Sequence, residues 1–309
     1  MKRTLPILAL LAALLLAPSV ARAKPHLAGT FDLSGQAAQM ARGPDGNIWV
    51  LVNNSINPLA KVEPNGDVTE YSPAAVVNPI GITAGYDDDL WLTRNNGVIH
   101  VPVDDPNNAT DTNIPGVGQG ITKGPGGKIW ATGTDQLVSF DPGNPAGFTA
   151  KTINGMGSRG MTASGGKLFV ADFNGGRIIR STAAGETKKF NVGGGPQQVT
   201  SGPQGSVAYT NPGTDPQTVG RIAAGGSPQK SSFPLGTDPF GIDFAPDHNW
   251  WFAEFGKDRL GILSPGGNLK LFKDLPNNSG PRYLAVGKND TLWVGLEQAE
   301  KVARIKGVG

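Results

Sequence analysis

Apolar residues recur along this chain in short runs bounded by Gly, Pro, Asn and Asp. Seven of these runs align: GPDGNIWVLV (43–52), YDDDLWLTR (86–94), GPGGKIWATG (124–133), SGGKLFVAD (164–172), GPQGSVAYTN (202–211), APDHNWWFAE (245–254) and GKNDTLWVGL (287–296). Their common position holds Trp49, Trp91, Trp130, Phe169, Ala208, Trp251 and Trp293, at intervals of 42, 39, 39, 39, 43 and 42 residues. A sustained period near 40 residues marks a repeat architecture.

Each unit has the same internal order. An apolar strand such as PIGITAG (79–85) leads into a Gly/Asp turn and the aromatic strand. A third strand such as GRIIRS (176–181) follows, then a Gly-rich turn and a fourth strand such as TKKFNV (187–192). Asp-Gly and Gly-Gly pairs supply the positive φ that tight hairpins need. Four antiparallel strands per unit describe a propeller blade. The expected fold is all-β, a seven-bladed β-propeller of four-stranded antiparallel blades forming one domain over residues 24–309. The last unit stops after its third strand, KVARIKGVG, and LAGTFDLSG (27–35) has the character of the missing fourth. The ring is therefore expected to be closed by the N-terminal strand, which reduces exposed edges. The recurring aromatics read as packing between blades.

Composition sharpens this picture. The 45 Gly and 25 Pro suit many short strands and turns. Residues 1–23, with a basic start, the apolar run LPILALLAALLLAP and Ala21-Arg22-Ala23, read as a secretory signal peptide. The protein is thus expected to be exported, periplasmic or extracellular, with no membrane span in the mature chain. The absence of Cys excludes disulfides, thiol catalysis and thiolate metal sites. Of 27 Lys and Arg, removing Lys2, Arg3 and Arg22 leaves 24, against 25 Asp and Glu. That near-neutral chain shows no nucleic-acid footprint.

The segments GPDGNIW, WWFAEFGKDRLGIL and TLWVGLE resemble the streptogramin B lyase (virginiamycin B lyase) family, and the similarity runs over all seven units. The resemblance implies a propeller that linearises a cyclic depsipeptide by C–O elimination with Mg²⁺. Such chemistry needs a base beside a carbonyl and a cation for the developing charge. The family's pattern places one His in the Pro-His segment of the last blade and another in the blade before. It places one Glu just before the last-blade His and another after the last blade's Trp strand. In this chain Arg282 stands at the last-blade His, Phe240 at the second His and Gly280 at the preceding Glu. Glu297 matches the remaining Glu and is the one candidate catalytic residue; Glu254 matches the Trp-Phe-x-Glu pattern. Arg is a poor general base because it stays protonated. His26, His100 and His248 read as structural or solvated, and the Asp87-Asp88-Asp89 run reads as a solvated turn.

Counting back eleven residues from each anchor gives a ring around the central mouth: Ala38, Ile80, Gln119, Arg159, Gln197, Phe240 and Arg282, with one deletion allowed at Arg159. Residues just past the anchors give a second ring: Asn53, Arg94, Thr134, Asp172, Asn211, Glu254 and Glu297. Arg94, Arg159 and Arg282 suit a carboxylate or phosphate group, Asp172, Glu254 and Glu297 a divalent cation, and Gln119 and Phe240 an organic ligand, with Gln197 also counted among the ligand-binding residues. The same groups can instead pair with one another and plug the channel. The expected function is a lyase-like propeller that binds a small or peptidic ligand centrally without a cofactor. The alternatives are an active Mg²⁺-dependent lyase and a scaffold for another envelope protein.

Overall fold

The alternating segments fold as antiparallel strands in the computed structural model, which describes residues 23–234 and 236–309. The expected signal peptide falls almost wholly on residues 1–22, outside the described residues. Among the described residues no helix is long and apolar enough to cross a membrane.

Five sheets have four strands each, and one has six. The all-β propeller is thus present, with two neighbouring repeats carried on one shared sheet. Strand Asn144–Ser164 is continuous over 21 residues and joins the third and fourth repeats. Its first half pairs with the third repeat (Gln136↔Thr152, Ser139↔Thr149), and its second half pairs with the fourth (Ser158↔Asp172, Ala163↔Leu168). No Pro interrupts the crossing, so backbone pairing carries on where the other repeats break it with a loop. The leading strands of all seven repeats still contact one another in sequence around the axis, and Pro281–Val286 contacts Gln36–Arg42 to complete the ring.

The ring is closed as the sequence implies. Strand His26–Asp32 lies outermost in the last blade, antiparallel to Lys301–Lys306, from His26↔Lys306 to Asp32↔Lys301. Phe31 packs on Trp293 at 5.7 Å between ring centroids, and the Leu33 amide donates to the Glu300 carbonyl at 2.9 Å.

The core lies between blades, and the anchors fill it. Trp49, Trp91, Trp251 and Trp293 are at most 1% exposed. A buried indole N–H needs an acceptor. The turn four residues earlier supplies one in three repeats: Asp45 for Trp49, Asp87 for Trp91 and Asp247 for Trp251. Ala208 cannot fill its position alone. Trp250 of the next repeat joins the same apolar cluster, and its indole donates to the Ser201 carbonyl at 3.0 Å.

Candidate functional site

The leading strands set the site. In five of them the register slips near the position of the inner ring, between Ala37 and Met40, Val117 and Ile121, Ser158 and Met161, Pro239 and Ile242, and Pro281 and Tyr283. Such bulges re-aim side chains and bend the strand. A Gly follows the ring residue in four repeats, and close approach of the neighbouring strand explains it. A Cβ on Gly241 would lie 2.5 Å from the Arg282 carbonyl oxygen, and one on Gly81 would lie 2.7 Å from that of Gln119. Hydroxyls stitch adjacent strands: Thr93 donates to the Gln119 carbonyl at 2.6 Å, and Thr210 donates to the Phe240 carbonyl.

The result is a central cavity of about 200 Å³ lined by Ile80, Gln119, Arg159, Gln197, Phe240 and Arg282, together with Gln39, Gln198 and Tyr283. Six of the seven inner-ring positions thus share one cavity. Ala38 lines the adjoining cavity of about 350 Å³, with Asn53, Glu297, Arg282 and Tyr283.

Arg282 is held by Glu297 and by two aromatic rings, while its buried Nε has no hydrogen-bond partner among the described residues. Its Nη1 donates to both Glu297 oxygens, at 2.6 and 2.5 Å. Its guanidinium lies 4.2 Å from the Phe240 ring centroid and 5.6 Å from that of Phe255. Glu297 is placed by its own backbone, whose N–H donates to the Gly280 carbonyl at 2.9 Å. Gly280 has φ 56°, a left-handed conformation that favours glycine. The segment before Arg282 is anchored by Asp258, whose carboxylate accepts from the amides of Asn278, Ser279 and Gly280 at 2.8–2.9 Å. Partial burial works to raise the Asp258 pKa, but these donors outweigh it and hold the carboxyl below its ordinary value.

Arg159 differs from Arg282. It lies over the Phe173 ring at 5.0 Å, and among the described residues it makes no ion pair. Tyr283 was not singled out in the sequence, although it adjoins Arg282. It meets Phe240 edge-on at 5.5 Å, and burial raises its phenol pKa against the opposing pull of Arg282.

The second ring does not converge. Asn53 and Glu297 reach the mouth. Asp172 is fully buried, accepting from the Gly157 and Gly175 amides and from Arg177 Nε at 2.5 Å. Glu254 is fully buried against Arg259 Nε at 2.5 Å, and burial raises its pKa despite that partner. Asn211 is buried, donating to the Gly193 carbonyl, and Arg94 pairs with Asp111 at 2.6 Å. Thr134 stands at the register slip opposite Gly157. The sequence did carry a signal for the two buried pairs: an acid and an Arg five residues apart around a hairpin, Asp172↔Arg177 and Glu254↔Arg259.

None of the three His lines the mouth. His26 is on the outermost strand, His100 faces Trp91 in the second blade, and His248 is in the turn before Trp250.

The family profile for virginiamycin B lyases matches residues 149–309, just over half of the sequence. The chain belongs to the virginiamycin B lyase family. Its fold is similar to a streptogramin B lyase structure (TM-score 0.80, 20% identity, covering 91% of this chain and 97% of that one). It is also similar to the Staphylococcus aureus virginiamycin B lyase (TM-score 0.79, 19% identity, 92% and 99% covered). A catalytically inactive variant of that enzyme, with a histidine replaced by alanine and quinupristin present, matches at TM-score 0.81 and 18% identity, again with 92% and 99% covered. No curated protein matches the sequence. At these identities the structural likeness speaks to the fold, and this family member's chemistry rests on its own mouth.

Proposed function

We propose that this member of the virginiamycin B lyase family is an exported binding protein. It takes a small or peptidic ligand with an anionic group at the central mouth and does not carry out the elimination. The observation that carries this reading is the central cavity itself, which Arg159, without an ion pair among the described residues, lines together with the amides of Gln119 and Gln197 and the rings of Phe240 and Tyr283. A forked guanidinium beside amides and aromatic faces suits a carboxylate on an organic body.

The same cavity argues against the family's reaction. Arg282 remains protonated and cannot take a proton from carbon. Phe240 has no proton to exchange. Loss of a histidine accompanies inactivity in the S. aureus relative, and here no histidine lines the mouth. The donors also do not suit Mg²⁺, which demands several oxygen ligands in octahedral geometry. Both Glu297 oxygens are committed to Arg282, and Asp172 and Glu254 are buried in ion pairs of their own.

The test is incubation of the purified chain with a streptogramin B depsipeptide, with and without Mg²⁺, followed by mass spectrometry. The expected result is no ring-opened product from a folded chain. A Mg²⁺-dependent product that disappears in Glu297→Ala would overturn the reading. A ligand screen then uses Arg159→Ala and Arg282→Ala: both weaken a mouth ligand at least tenfold, whereas a partner that binds a blade face is unaffected.

A further inference from the structure

The turn between the first two strands of the second blade lies on the face opposite the mouth. It follows Gly81–Ala84, whose start points to the mouth, and precedes Leu90–Arg94. In the first blade this turn is self-contained: the Asn47 side chain donates to Asp45 at 2.8 Å, and Trp49 donates to the same carboxylate. In the sixth, Asn249 and Asp247 hold the equivalent places. The second blade keeps the Asp87–Trp91 bond but puts Asp89 where the others have Asn. A donor has become a second acceptor. The position across from the Trp changes as well, from Lys61 in the first blade and Ile262 in the sixth to His100.

Three ligand atoms therefore converge. His100 Nε2 lies 2.9 Å from Asp89 Oδ2 and 3.4 Å from Asp87 Oδ2, and one ligand atom from each residue lies within 4.8 Å of the others. Ligand atoms about 2.1 Å from one ion stand roughly 3.0–3.5 Å apart, so these separations suit a shared ion. Each group is also held by a neighbour. The Val103 amide holds the other Asp89 oxygen at 3.0 Å, the Trp91 indole donates to both Asp87 oxygens at 3.2 and 3.0 Å, and the His100 ring packs on Trp91 at 4.9 Å. Such outer partners are what fix ligands at metal sites. Among the described residues no Lys or Arg forms an ion pair with either carboxylate, so His100 alone faces two acids. The side chains remain about a quarter exposed, leaving a path for an ion and its water ligands.

We propose that Asp87, Asp89 and His100 bind a divalent transition-metal ion. One imidazole nitrogen with two carboxylates selects an ion such as Zn²⁺ over the oxygen-seeking Mg²⁺. This site is separate from the central mouth and independent of the reading given for it.

Zn²⁺ titrated calorimetrically into the tag-free chain tests the assignment. The wild type is expected to show one site that Asp89→Asn and His100→Asn each weaken at least tenfold while keeping the native circular dichroism. Asp45→Asn, in the equivalent turn of the first blade, and Glu297→Gln, at the mouth, are expected to leave it unchanged. Absence of Zn²⁺ uptake by the folded wild type would overturn the proposal. So would uptake that survives in both Asp89→Asn and His100→Asn, or displacement of Zn²⁺ by a tenfold excess of Mg²⁺. Should His100→Asn fail to fold, Asp89→Asn decides alone, because it preserves the shape of the turn.

Discussion

The sixth and last blades each build a Glu–Arg pair near the end of the same aromatic strand, yet the two pairs sit in different surroundings. In the sixth, Glu254 is the last strand residue and faces Arg259 directly across the hairpin. Both charges are spent inside the blade. In the last, Leu296 and Lys301 occupy those facing positions, and Glu297 falls one residue later, in the turn. It cannot use the hairpin partner, so it reaches the leading strand and takes Arg282. A shift of one residue moves the pair from the blade interior to the mouth.

Removing the hairpin partner breaks this contrast hardest. Arg259→Ala leaves the buried Glu254 unpaired and should cost about 3–5 kcal/mol, measured by chemical denaturation, with the mouth unaltered. The sign with pH follows from the raised Glu254 pKa. The folded state holds the proton more tightly than the unfolded chain, so stability falls as pH rises through the window between the two values. Arg259→Ala should widen that window, and lowering the pH from 7 towards 5 should recover part of the loss. A variant insensitive to pH would show that Glu254 finds another partner.

Gly241→Ala acts on the approach of the two leading strands. Its Cβ would meet the Arg282 carbonyl oxygen and Tyr283 Cα at 2.5 and 2.7 Å. Overpacking of this kind costs about 1–3 kcal/mol, and it should shift Arg282 and weaken ligand binding along with stability.

Asp258→Ala links the two blades, because this turn residue of the sixth holds the segment leading to Arg282 in the last. Losing a carboxylate that satisfies three amides should cost about 1–3 kcal/mol at neutral pH. Here the sign is opposite to Glu254. The folded pKa is depressed, so the contribution is present above the ordinary carboxylate value and is lost as pH falls through the folded one. Wild type and variant should converge in stability at acid pH; a constant gap would assign the effect to packing.

Arg282→Ala has the smallest expected effect on stability, under about 1 kcal/mol for a partly exposed pair. It should still weaken a mouth ligand at least tenfold by releasing Phe240 and Glu297. A large stability loss without a binding change would make the pair a structural plug.

The sequence made the repeat, the strand order and the terminal closure legible because each rests on local alternation and turn chemistry. The inner ring was legible for the same reason: a constant offset from the anchor carries the same strand position in every blade. The second ring was not, because the end of the aromatic strand is where hairpin length differs. Whether Asp172, Glu254 or Glu297 faces the mouth depends on the residue opposite it. Tyr283 escaped for a related reason, since the bulge beside it turns two neighbours towards one cavity. The Asp87–His100 cluster joins a turn and the strand after next, and no local pattern marks it.

What the sequence by itself determined is the periodic frame: which residues are strands, which aromatics are buried and how the ends meet. Only the tertiary structure decided how the charges are shared. Charge pairing depends on distances across strands and between blades. A one-residue offset or a bulge changes those distances without disturbing the pattern of apolar positions.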